Sequence, residues 1–127
     1  MQEKHLYEYA VIRVLPLVER EEFLNVGIIL FCKKAGFIKV HYTVNEPKIN
    51  LFSKDFDVAQ LQLNLESLQI IASGNKRGGA IALLDVASRF RWLTAVRSSV
   101  IQTSRPHPGL CDDLAHTAQR LFKEMVL

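Results

Sequence analysis

The chain has 127 residues, 49% of them hydrophobic and 23% charged, with a formal net charge of +3. That composition excludes intrinsic disorder, which needs low hydrophobicity and high net charge, and the length is that of one domain, 1–127, able to bury its own core. The longest apolar run, "VGIILFC" at 26–32, is far short of the roughly 20 residues a membrane helix requires.

The N-terminal "MQEKHLYEYA" lacks the apolar stretch of a secretory signal. The cysteines, Cys32 and Cys111, form no CxxC pair and have no histidine at zinc spacing. The reading is a reduced, cytoplasmic protein with packed thiols.

In chain order, "LYEYAVIRVL" is rich in β-branched and aromatic residues and closes at Pro16. Alternation places Tyr7, Tyr9, Val11 and Arg13 on one face of this strand, and Glu8, Ala10, Ile12 and Val14 on the other. A second strand, "FLNVGIILFC", groups Leu24, Val26, Ile28 and Leu30 against Asn25 and Gly27. "KKAG" is a hairpin turn whose Gly36 supplies a positive φ. The third strand, "FIKVHYTV", sends Ile38, Val40, Tyr42 and Val44 one way and Lys39, His41 and Thr43 the other. Three strands with short links predict an antiparallel meander with one solvated face.

From Asp57 the period changes. Val58, Leu61, Leu65, Leu68 and Ala72 recur at helical spacing, with Asp55 or Asp57 as the cap. "LQLNL" at 61–65 also alternates with period two, and helix is the favoured of the two readings. "SGNKRGG" breaks the chain, and a second helix follows from Ala80 with Leu83, Val86, Ala87 and Phe90 on one face. "SSVIQTS" reads as a short fourth strand ended by a rigid turn, "RPHPG". A C-terminal amphipathic helix, capped by Asp112 or Asp113, carries the stripe Leu114, Ala118, Leu121, Phe122 and Met125. The order β-β-β-α-α-β-α predicts an α+β fold: an antiparallel sheet of about four strands with helices packed on one face.

Chemistry is harder to find. His5, His41, His107 and His116 are scattered, so no metal site is expected, and no nucleotide loop or nucleophile elbow occurs, so no cofactor is expected either. Residues 76–105 hold Lys76, Arg77, Arg89, Arg91, Arg97 and Arg105 against the single acid Asp85. Such a basic segment either contacts an anion or is a solvated, paired surface. Arg13, inside a strong strand, either pairs with Glu22 or Asn25 on the neighbouring strand or offers its fork to an anion on the open face. Arg97, Ser98 and Ser99 form a phosphate cradle or satisfy backbone where helix gives way to strand.

The motifs at both ends of the chain carry a resemblance. Tyr7, Tyr9, Ala10, Arg13 and Pro16, then Glu22, Asn25, Val26, Gly27 and Leu30, then Arg89, Phe90, Trp92, Leu93, Arg97 and Ser98 resemble the bacterial family known as domain of unknown function 3037. The likeness spans nearly the whole chain; residues 45–80 carry none of its motifs. It implies an accessory or regulatory partner of a HipA-like kinase.

The function expected is therefore a small cytoplasmic, non-catalytic binding module that contacts a protein partner, with Arg13, Glu22, Asn25, Arg89, Arg97, Ser98 and Ser99 as candidate binding residues. The first alternative is nucleic-acid binding through the phosphate backbone by the basic segment 76–105. The second is an enzyme acting on a phosphorylated or acylated substrate, with Arg13, Arg97 and Ser98 at its site.

Overall fold

In a computed structural model, residues 4–95 and 100–127 are described. The elements are β1 (His5–Val14), β2 (Leu24–Cys32), β3 (Phe37–Tyr42), α1 (Glu46–Phe52), α2 (Val58–Ser73), α3 (Val86–Thr94), β4 (Ile101–Thr103), β5 (His107–Cys111) and α4 (Leu114–Met125). The α+β class and the antiparallel meander are as the alternation predicts. The sheet runs β3-β2-β1-β4, with β5 also paired to β1. β4 and β5 share one edge of β1, β4 opposite Ile12–Val14 and β5 opposite His5–Tyr9.

Strand alternation builds two cores. On the first face Ile12, Val14, Val26, Ile29, Phe31 and Val40 meet α1, α2 and α3 through Ile49, Leu61, Leu65, Ile71, Phe90 and Leu93. Phe31 stacks on Phe90 at 4.7 Å between centroids. On the second face Tyr7, Ile28, Leu30 and Cys32 meet Leu114, Ala118 and Leu121 of α4. Three helices thus cover the first face and the C-terminal helix the second. The reason lies in β2, which is apolar at successive positions from Val26 to Cys32 and so buries both of its sides. Cys32 is buried and Cys111 half-buried; both are free thiols.

Local chemistry sets the helix ends. Asn45, Asp57, Asp85 and Asp113 each cap a helix by accepting a backbone N–H. Hydrogen bonds from Ser88 hold the exposed Asp85 carboxyl below its ordinary value. The second predicted helix begins later than Ala80, because Asp85 provides the cap and residues Ile81–Leu83 form a 3-10 turn instead. α1 falls in the stretch that no motif marked.

"RPHPG" departs from the turn expected of it, since His107–Cys111 forms β5. An edge strand tolerates Pro108 where a central one would not. Gly109 lies directly across from Tyr7, and a Cβ there would come within 2.4 Å of the Tyr7 ring. The ring occupies the space the glycine leaves, which restores packing to a weak strand.

Between β4 and β5, Ser104 replaces the missing ladder. Its N–H donates to the Val11 carbonyl at 2.8 Å, and its buried hydroxyl accepts from the Val11 N–H at 2.9 Å. One side chain therefore keeps β1 satisfied across the break.

Candidate functional site

The site is built from a β-bulge. Ile12 faces Gly27 but Arg13 faces Asn25, leaving Val26 as the extra residue in β2. Gly27 is required there, because a Cβ would lie 2.6 Å from the His41 carbonyl oxygen. The slip turns Asn25 to the second face of the sheet, beside Arg13. Strict alternation instead groups Asn25 with Gly27.

Helix α4 lies across β2 and β3 on this face and reaches β1 only marginally. Among the described residues no helix covers the part of this face on β4 and β5 and beside Arg13, although Tyr7 of β1 packs against α4. Along it run Tyr9, Val11 and Arg13, with His107 directly opposite Tyr9 and Gln102 directly opposite Arg13.

Arg13 is half-buried. Its guanidinium carbon sits 4.3 Å from the centroid of the Phe23 ring, a cation–π geometry, and Phe23 is 46% exposed. Asn25 donates its amide N–H to the Met125 carbonyl at 3.0 Å and so ties the end of α4 to the sheet. Two polar atoms are left over. Arg13 Nε and Asn25 Oδ1, on directly opposed residues, are buried without a hydrogen bond. Such orphans are rare in native proteins, because each costs about 1–3 kcal/mol. Glu22 pairs with Arg20, so among the described residues no carboxylate pairs with Arg13.

At the other end of the strip Tyr9 and His107 form a ring pair with centroids 5.4 Å apart. Tyr7 stands 6.4 Å from Tyr9. Arg105, exposed, lies at the adjoining β4–β5 break.

The remaining candidates go elsewhere. Arg89 turns inward and donates to the Ala72 carbonyl at 2.9 Å and the Ile71 carbonyl at 3.4 Å, closing the C-terminal end of α2. Arg91 reaches the Ser88 hydroxyl at 3.2 Å. Lys76 and Arg77 lie on a 3-10 turn after α2. Arg97, Ser98 and Ser99 lie outside the described residues. His41 packs on Phe122 at 5.7 Å, and desolvation, with the Lys39 charge, lowers its pKa below the ordinary histidine value.

Among the described residues no group of three or more His, Cys, Asp or Glu side chains could hold a metal ion. No described helix is long and apolar enough to cross a membrane. Residues 9–126 match the family model described as "Protein of unknown function (DUF3037)".

The chain belongs to the DUF3037 family.

The match takes in Arg13, the Val26 bulge, Arg89 and all of α4. No curated protein and no solved structure matches this DUF3037 chain. Sequence reasoning missed Phe23, Tyr9 and His107 as members of the site. Phe23 precedes β2 and reads as an ordinary strand residue, and His107 falls in "RPHPG", which reads as a turn. The signal that could have found them is strand pairing: once His107 is opposite Tyr9, both rings share the face that carries Arg13.

Proposed function

We propose that this DUF3037 protein is a small cytoplasmic, non-catalytic binding module that grips an anionic partner with the open half of its sheet, centred on Arg13. The observation carrying the reading is the state of Arg13. Its guanidinium is held in place by Phe23, has no carboxylate partner among the described residues, and stands on the part of the second face that no described helix covers. A strand arginine with a purely structural role is expected to resemble Arg89, which spends its donors on backbone carbonyls. Arg13 keeps its outer nitrogens for an external acceptor. Arg89, turned inward, supports α2 instead of adding to a phosphate-binding surface on segment 76–105. A HipA-like kinase is the partner class that the family resemblance implies.

The test is Arg13→Met, which keeps the aliphatic stem over Phe23 and removes the charge. Binding of polyglutamate, of a short oligonucleotide and of a HipA-like kinase from the same cell is followed by fluorescence anisotropy. At least one binds the native protein, and R13M weakens that binding about tenfold or more with an unchanged melting temperature. Full affinity of R13M for every probe that binds contradicts the reading.

A further inference from the structure

Cations alone suffice to attract an acidic protein surface. The open half-sheet carries more than cations. It has two stations of flat groups: Tyr9 with His107 at one end, and the Arg13 guanidinium with Phe23 at the other. Tyr9 and Arg13 are four residues apart on one strand, a separation of about 13 Å. Val11, between them on the same face, is only 7% exposed. The strip is thus two platforms separated by a packed floor.

Two arginines serve the strip: Arg13 lies within it, and Arg105 lies at its outer edge beside the His107 ring. Of the acids on flanking elements, Glu22 pairs with Arg20, Glu124 with Arg120 on α4, and Asp113 caps the first turn of α4, while Glu19, Glu21 and Asp112 are exposed. By strand alternation Glu8 points to the opposite face.

We infer that the open half-sheet binds single-stranded nucleic acid, stacking unpaired bases at the Tyr9–His107 and Arg13–Phe23 stations. The inference rests on the reading that Arg13 centres the binding surface, and it names the partner. Unpaired bases stack on aromatic side chains and on arginine planes, and a cationic rim follows the phosphates. An antiparallel sheet holds its rings at fixed spacing, so the face is organised before the strand arrives. α4 borders the platform on one side, and the short edge formed by β4 and β5 borders it on the other.

The experiment uses the full chain and labelled oligothymidylate and oligouridylate of about twelve nucleotides, with polyglutamate as the comparison probe. The strands bind at low salt, and affinity falls steeply between about 50 and 200 mM salt. Tyr9→Leu and Phe23→Leu, which keep apolar bulk but remove the rings, each weaken binding about fivefold or more, while Tyr9→Phe retains it. Arg13→Met lowers the salt slope by about one. No binding at low salt overturns the inference. So does binding that Lys76→Ala and Arg77→Ala abolish while Y9L and F23L leave it intact. If only polyglutamate binds, in an Arg13-dependent way, the nucleic-acid inference fails and the Arg13 reading stands.

Discussion

Arg13 and Arg89 show how position decides what one residue type does. Both are partly buried, and both leave Nε without a hydrogen bond. Arg89 meets the unpaired carbonyls at the end of α2, where a cation also opposes the helix dipole. Arg13 meets a ring and an amide whose own N–H is spent on Met125. The sequence presents each simply as an arginine near apolar residues, so their different roles become visible only with partners in place. Ser104 is a second case: it reads as the last polar residue of a strand, yet its hydroxyl closes the gap between β4 and β5. Ser104→Ala leaves the buried Val11 N–H without an acceptor and lowers stability by about 1–3 kcal/mol in urea or guanidinium unfolding. A change near zero would mean that the hydroxyl does not hold this break together.

Among the elements, β1, β3 and α4 are legible from their periods, β2 from its long apolar run, and α2 from a helical spacing that outweighs the period-two alternation of "LQLNL". The exceptions have physical causes. The Val26 bulge is one inserted residue, and alternation cannot register a slip that depends on the close approach of His41 to Gly27. β5 contains Pro108 and Gly109, poor strand formers that are stabilised by the β1 edge and the Tyr7 ring. α1 spans only Glu46–Phe52, too short for a helical period to stand out. The docking of α4 carries its own pH dependence through His41, which packs on Phe122 and shares the second face with Ile28. Its folded pKa lies below 6.5, lowered first by desolvation and then by Lys39. The unfolded chain therefore takes up this proton more readily. The contribution is complete above the unfolded value and is lost as pH falls through the folded one. Denaturant midpoints measured between about pH 8 and pH 5 should fall less steeply for His41→Gln than for the native protein. Equal slopes would remove His41 from the account.

At the scale of the molecule, alternation predicts both an antiparallel sheet and a solvated face. What it does not supply is that α4 lies mainly over β2 and β3 of that face and meets β1 at Tyr7. The site is the remainder: the part of a two-sided sheet that none of the described helices covers. Its members come from β1, the start of β2, β4 and β5, so no local motif contains them all. The basic segment 76–105, conspicuous in the sequence, is divided among a 3-10 turn, α3 and the β4–β5 break. The central claim is that the open half-sheet is the binding surface. Amide chemical-shift mapping by NMR during titration with oligothymidylate tests it most directly. Shifts should concentrate at Tyr9, Arg13, Phe23, Gln102 and His107, with α2 and α3 unchanged. Shifts confined to Lys76, Arg77 and Arg91, with β1 silent, would contradict it.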